Sequence, residues 1–370
     1  MKSQNQMSLA ARLRELIGRA GAISFHDWMA AALYDEREGF YCRTDLQRWG
    51  RAGDYRTSPE RSSLFAATFA RYFASLYVES GAPPEWTILE VGAGAGDFAR
   101  GTLETLQRDY PHVYKATRYL LDEVSDDARA RARKSLAAFG ERLDFRSIGE
   151  EGFRCETGIV FSNELLDAFP VYRVRMRGGK LQEMCVGLNE AGHFIWTERE
   201  PTTPRLAEHF SRLRIPLAEG HFAEINLAAG EWLEKVAAVL ACGYIITVDY
   251  GAEAAELYQS PLRREGTLRG FRAHQFAADV LAQPGQQDLT TTVNWTQMKL
   301  AGEAANLENV SFERQDEFLL RAGLLEQLTS ATTRMSNEAE RMRLRVEARE
   351  MILPGGMSQS FQVLVQKKSR

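Results

Sequence analysis

One short segment restricts the fold more than any other: Glu90-Val91-Gly92-Ala93-Gly94-Ala95-Gly96-Asp97. It joins an apolar run, Trp86-Thr87-Ile88-Leu89-Glu90-Val91, to a stretch with helical periodicity from Asp97 to Asp109. Glycines between a strand and a helix let the backbone turn sharply and approach a ligand without Cβ interference. Strand, glycine loop and helix form the opening half of a βαβ unit, which implies a parallel sheet with helices on its faces. The dinucleotide pattern G-x-G-x-x-G needs a glycine at position 97, where this chain has Asp97. A pyrophosphate seeks uncovered N–H groups at a positive helix end. A carboxylate there repels it, so the loop suits a ligand that carries an ammonium group.

The alternation continues beyond the loop. Tyr119 to Val124 reads as a second strand, Asp126 to Phe139 as a helix, Leu143 to Arg146 as a third strand and Gly158 to Ser162 as a fourth. Glu164 to Phe169 reads as a helical turn, Glu231 to Ala241 as a helix, Tyr244 to Asp249 as a strand and Phe361 to Val365 as the last strand. Amphipathic helices are expected over residues 8–20, 24–34 and 62–79. Segments 171–177, 180–188 and 194–198 alternate around Gly178-Gly179 and Asn189, the pattern of a β-meander. The expected organisation is a helical region over 1–85 with a glycine-rich lid loop, then an α/β domain over 86–370 into which a meander and linker are inserted at 172–216.

Composition narrows the function. The chain has 370 residues, 46 Lys and Arg against 50 Asp and Glu, and a net charge of −4. That balance argues against a nucleic-acid binder. No apolar run is long enough for a membrane span. Cys42, Cys155, Cys185 and Cys242 form no C-x-x-C, and the six histidines form no i,i+4 pair, so no metal site is expected.

The acidic strand end Glu90 and the spacing E-x-G-x-G-x-G resemble class I S-adenosylmethionine methyltransferases. Glu123, at the end of the second strand, has the chemistry to accept ribose hydroxyls from either NAD or S-adenosylmethionine, so it does not discriminate between them. Further stretches make the resemblance specific. Ile23-Ser24-Phe25 with Trp28-Met29, Gly39-Phe40-Tyr41, Gly53-Asp54-Tyr55 with Thr57-Ser58-Pro59-Glu60, Glu123-Val124-Ser125, Asn163 to Val171, Asp249-Tyr250-Gly251 and Asp288-Leu289-Thr290 are similar to motifs of the MidA family. That family includes the mitochondrial complex I assembly protein-arginine methyltransferases and their bacterial homologues. Ala66, Asn294 and Ser358 depart from its usual Gly, Asp and Gly.

The resemblance implies a Rossmann-like seven-strand sheet and S-adenosyl-L-methionine as cofactor, with S-adenosyl-L-homocysteine as product. It implies transfer to an arginine of a protein, such as a respiratory complex I subunit. The cofactor residues it suggests are Glu90, Gly92, Ala93, Gly94, Gly96, Glu123, Val124 and Asn163, with Gly53 and Asp54 as a lid. Glu164 and Asp167, three apart at the carboxyl edge of the sheet, are the expected catalytic carboxylates, with Asn163 bridging cofactor and acceptor. Asn163 and Asp167 also suit plain turn and cap roles. Tyr250 suits either a pocket wall or the core, and His274 a surface structural role. The expected partner is a protein segment bearing arginine, with no nucleic acid and no membrane span. The chain is expected to be a monomer or homodimer in a bacterial cytoplasm, or in the mitochondrial matrix if its source is eukaryotic. A silent S-adenosylmethionine-binding assembly factor and an NAD(P)-dependent oxidoreductase are the rival readings.

Overall fold

The structure is a computed structural model that describes residues 7–43, 62–272, 275–353 and 360–370. The lid positions Gly53 and Asp54, the Thr57 to Glu60 motif, His274 and Ser358 lie outside the described residues.

Seven strands form the path of the central sheet: β1 Trp86–Val91, β2 Thr117–Asp122, β3 Leu143–Phe145, β4 Gly158–Asn163, β5 Gly243–Ala252, β6 Glu308–Arg314 and β7 Phe361–Lys368. Their spatial order is β6-β7-β5-β4-β1-β2-β3. An eighth strand of two residues, Val293–Asn294, pairs with the end of β5. β7 runs antiparallel to both its neighbours, while β5, β4, β1, β2 and β3 pair in parallel. The strand order reverses between β1 and β4, and open α/β sheets bind ligands at the carboxyl ends beside such a switch.

Both faces of the sheet are buried, and side chains alternate between them along each strand. Ile88, Phe161, Ile246 and Val363 pack on one face with Phe65, Phe69, Phe73 and Phe98. Leu89, Val160, Ile245 and Leu364 pack on the other with Trp232, Val236, Trp295 and Met298. The first face is covered by helices Ser63–Glu79 and Asp97–Asp109, and Phe98 stacks on Phe161 with ring centroids 4.2 Å apart. Helices Leu227–Val239 and Trp295–Ala304 cover the second. Side-chain caps set several helix starts: Ser24 accepts from the Asp27 N–H and Asn226 from the Ala229 N–H, each worth about 1 kcal/mol.

The meander forms as Tyr172–Arg177, Lys180–Leu188 and Phe194–Arg199. Gly178 and Gly179 take φ of +58° and +70°, as a two-residue turn between twisted strands requires. Two partners extend this sheet. Phe222–Ile225 pairs with Tyr172–Arg177, and Ile23–Ser24 pairs with Lys180–Leu188, Ile23 opposite Val186. The first two helices, Leu9–Ala20 and Phe25–Tyr34, therefore pack on the insert: Leu13, Phe25 and Trp28 share a buried cluster with Val171, Val186 and Leu289. A three-stranded sheet of Arg269–Arg272, Gln275–Phe276 and Asp288–Thr290 adjoins them.

Two local expectations change. The helix expected through Phe139 ends at Ser135 and gives way to 3-10 turns over Ala137–Arg142, where Gly140 has φ +56°. The helical turn expected from Glu164 is a 3-10 turn over Leu166–Ala168 only, and Glu164 itself has φ +50°.

Candidate active site

At the carboxyl ends of β1, β2 and β4 a cavity of about 1170 Å³ opens. Pockets for one small ligand run from roughly 300 to 1,000 Å³, so this one has room for a cofactor and part of an acceptor.

The glycine loop forms one wall. Gly92, Gly94 and Gly96 take φ of +74°, +53° and +83°, a backbone region costly for other residues. A Cβ on Gly92 would stand 2.9 Å from Leu165 Cδ1, and one on Gly96 2.8 Å from Leu136 Cδ1. Glu123 is tied to the same loop: its Oε2 accepts the Gly94 N–H at 2.8 Å and its Oε1 the Ser125 N–H at 2.8 Å. A carboxylate has about four lone-pair positions, so each oxygen keeps capacity for a further donor. Burial raises the Glu123 carboxyl above its ordinary value, opposed by those two N–H groups. The neighbouring Asp122 accepts the Ile148 N–H at 2.8 Å, and Val124 is exposed at the cavity rim.

Glu90 lies in the cavity wall but is buried, and the Tyr119 hydroxyl donates to its Oε2 at 2.7 Å. Burial pushes its carboxyl up to about 8, so at neutral pH it is mainly protonated. Asp97, in the first turn of its helix, pairs with Arg100 at 2.6 Å. Neither acid is thus an unencumbered carboxylate facing an ammonium group.

The opposite wall is the β4 end. Asn163 Nδ2 donates to Glu164 Oε1 at 3.1 Å, while Asn163 Oδ1 is buried without a hydrogen-bond partner among the described residues. The Glu164 N–H donates to the Val248 carbonyl at 2.9 Å, which holds this residue in its left-handed conformation. Glu164 and Asp167 therefore do not stack on one helix face, although both line the cavity. The organiser of the turn is Asp249, fully buried at the end of β5, whose Oδ2 accepts the N–H groups of Leu165, Leu166 and Asp167 at 3.2, 2.9 and 3.3 Å. Burial and the nearby Asp167 and Glu164 carboxylates raise Asp249, against the pull of its backbone donors.

Asp167 is 6 % exposed. Its Oδ2 accepts the Tyr250 hydroxyl at 2.8 Å, and its Oδ1 is buried without a hydrogen-bond partner among the described residues. Burial lifts its carboxyl to about 6, and the Tyr250 bond restrains that rise. Tyr250 lines the cavity, although its ring also packs against Phe361. The N-terminal region completes this end: the Tyr34 hydroxyl donates to the Ala168 carbonyl at 3.0 Å, and the Tyr41 hydroxyl donates to Asp288 Oδ1 at 2.7 Å.

The structure thus brings Glu90, Gly92, Ala93, Gly94, Glu123, Val124, Asn163, Glu164 and Asp167 to one cavity. Gly96 caps the helix that leaves the loop. Sequence reasoning assigned no site role to Asp249, Tyr34, Tyr41 or Asp288. Three of the four stand inside quoted family motifs, and Tyr34 carries no local signal. Among the described residues no cluster of three or more His, Cys, Asp or Glu suits a metal, and no helix is long and apolar enough to cross a membrane.

Fold and cavity define a class: an α/β enzyme with a methyltransferase-type glycine loop at the switch point of its sheet. The family model described as "Putative S-adenosyl-L-methionine-dependent methyltransferase" matches residues 68–312, and the chain belongs to that family, the MidA type its motifs resemble. A crystal structure of a Burkholderia thailandensis protein bound to S-adenosyl-homocysteine superposes with a TM-score of 0.87 at 30 % identity, covering 97 % of this chain and 92 % of that one. The Drosophila melanogaster protein named protein arginine methyltransferase NDUFAF7 homolog, mitochondrial, is 26 % identical over 321 residues, 78 % of this chain and 68 % of its own. The Xenopus tropicalis protein arginine methyltransferase NDUFAF7, mitochondrial, is 27 % identical over 362 residues, 87 % of this chain and 78 % of its own. The cofactor is S-adenosyl-L-methionine, in place of the nicotinamide alternative. The residues fit it: the loop lacks Cβ atoms where the backbone must approach, and the cavity wall holds the unpartnered Asn163 Oδ1.

Proposed function

We propose that this methyltransferase acts on an arginine side chain of a protein. Glu90, Gly92, Ala93, Gly94, Gly96, Glu123 and Val124 form the cofactor cradle, and Asn163, Glu164 and Asp167 receive the acceptor. Gly53 and Asp54 belong to the lid in this reading. The carrying observation is Asp167, nine-tenths buried in the cavity wall with a carboxylate oxygen, Oδ1, that has no hydrogen-bond partner among the described residues. A buried acceptor without a donor costs about 1–3 kcal/mol, and a guanidinium offers five N–H donors in a planar fork.

When bound, the cofactor supplies a methyl carbon activated by its sulfonium. The protein's work is alignment and exclusion of water. A guanidinium is a poor nucleophile because it stays protonated. Glu164 and Asp167 draw its positive charge away from the attacking nitrogen, and Asp167, lifted to about 6 by burial, suits acceptance of the proton that leaves it. The positive φ of Glu164 is strain of the kind that concentrates at functional sites. Relatives named as arginine methyltransferases support the acceptor class, and the family resemblance puts a respiratory complex I subunit first among acceptors.

The test is transfer of labelled methyl from S-adenosyl-L-methionine into a lysate of cells lacking this protein, read by mass spectrometry. Label on protein arginine is expected. Glu164→Gln should keep S-adenosyl-L-homocysteine binding and lose transfer by about 30- to 150-fold, the loss of one charged hydrogen bond. Label confined to RNA or small metabolites overturns the acceptor. Cofactor binding without any transfer identifies a silent assembly factor.

A further inference from the structure

One face of the small sheet Arg269–Arg272, Gln275–Phe276 and Asp288–Thr290 carries the cavity wall out to the protein surface. Residues directly opposite each other in a ladder share a face. Arg269 stands opposite Thr290, and Phe271 stands opposite Asp288 on one side and Phe276 on the other. Arg269, Phe271, Asp288 and Thr290 all line the cavity. Leu289, on the reverse face, joins the buried cluster of Phe25 and Trp28. Phe276 is 70 % exposed, its ring centroid 4.8 Å from that of Phe271. Arg269 is exposed and its guanidinium lies 5.9 Å over the Phe276 ring. It makes no hydrogen bond or ion pair among the described residues. Charge thus changes sign from inside to outside: Glu164 and Asp167 line the interior, and the Arg269 cation stands at the rim beside the rings of Phe271 and Phe276.

We propose that this lip docks the polypeptide bearing the acceptor arginine: Arg269 pairs with an acidic side chain near that arginine in the acceptor's sequence, and Phe271 and Phe276 pack against the chain between the two. The proposal deepens the arginine reading above and rests on it. Continuity supports it, because the Thr291 N–H donates to the Asp167 carbonyl at 2.9 Å and so fastens this sheet to the turn bearing Asp167. A segment whose guanidinium enters beside Asp167 has this rim as its neighbour. Charge selects the flank. A guanidinium held flat against a ring offers a planar fork that matches a carboxylate in bidentate fashion. A phosphate chain is a poorer fit, since it is held by several cations together and meets a protein of net charge −4. An acid beside an arginine complements both the rim and the interior.

The test uses the full chain loaded with S-adenosyl-L-homocysteine and blocked synthetic peptides titrated by NMR. Each peptide has a single arginine flanked by glutamate, by glutamine or by lysine, and a further one has citrulline in place of the arginine between glutamates. The wild type should bind the glutamate peptide about two- to fivefold more tightly than the glutamine peptide, the scale of an exposed charge pair, and the lysine peptide most weakly. Arg269→Gln should erase that preference, and Arg269→Glu should invert the order of the glutamate and lysine peptides. Phe276→Ser, at a surface position where the fold loses little, should weaken every arginine peptide severalfold. Affinity for S-adenosyl-L-homocysteine should stay within about twofold in each variant. A glutamate preference that persists in Arg269→Glu, or is missing from the wild type, overturns the lip, and the arginine reading stands if the citrulline peptide binds more weakly than its arginine counterpart. Lost S-adenosyl-L-homocysteine affinity in Arg269→Gln assigns the cation to the cofactor's carboxylate and also overturns the lip. Equal binding of the arginine and citrulline peptides overturns the arginine reading and the lip with it.

Discussion

Glu123→Ala separates two tasks of one carboxylate, the loop tether the structure shows and the ribose contact proposed for it. In the protein without ligand, Glu123 ties β2 to the glycine loop through the N–H groups of Gly94 and Ser125. Losing both bonds should destabilise the fold by about 2 kcal/mol, about 1 kcal/mol each, because the cavity lets water replace the carboxylate. If the remaining lone pairs accept the two ribose hydroxyls, the variant should also lose about 2–3 kcal/mol of cofactor affinity. That corresponds to a rise in Kd of roughly 30- to 150-fold. Thermal unfolding without ligand reads the first effect, and calorimetric titration with S-adenosyl-L-homocysteine reads the second. A 2′-deoxy analogue of S-adenosyl-L-homocysteine closes the cycle. The wild type should bind it about tenfold more weakly than the parent, and Glu123→Ala should scarcely distinguish the two. A variant Kd within about threefold of wild type, or an equal penalty for the analogue in both proteins, would refute the ribose role and leave Glu123 as a loop tether.

Two further outcomes follow from buried acids. Methyl transfer should rise with pH through about 6 as Asp167 ionises, and Tyr250→Phe, which removes a bond holding that carboxyl down, should move the rising limb to higher pH; a limb that stays in place excludes Asp167 as its source. Glu90 carries the opposite consequence for stability. Burial raises its carboxyl to about 8, well above the ordinary glutamate range, so the folded state binds more protons than the unfolded chain between that range and 8, and this group's contribution declines as pH rises through it. Glu90→Gln keeps an acceptor for Tyr119 without the charge, so its unfolding free energy should gain on wild type from pH 5 to 8, and a constant difference would contradict this.

The parts of the fold legible in the sequence are those fixed by local chemistry. β1 and helix Asp97–Asp109 fall where the apolar run and the glycines put them, and so does Asn163 at the end of β4. β6 escaped because Glu-Asn-Val-Ser-Phe-Glu-Arg is a polar edge strand paired only to β7, with weak alternation of burial. The helix Glu338–Ile352 escaped because its face is mostly charged and it buries only Leu344, Ala348 and Met351. Ile23–Ser24 is two residues long and finds its partners, Val186 and Cys185, far along the chain. The site divides along the same line. The glycine-loop residues stand together from Glu90 to Gly96, whereas Asp249 beneath the Leu165 to Asp167 turn and Tyr41 on Asp288 are contacts between distant segments that no local pattern records.

The pairing of Ile23 with Val186 also dictates an order of assembly. The glycine loop, Glu123 and Asn163 emerge from the ribosome within one uninterrupted block, from β1 to β4. The helices bearing Phe25 and Trp28 are made first, yet their buried faces wait for Val186 and Leu289, and closing such long loops is slow. A nascent chain thus makes the glycine loop and the strands beside it long before the N-terminal helices can bury their apolar faces.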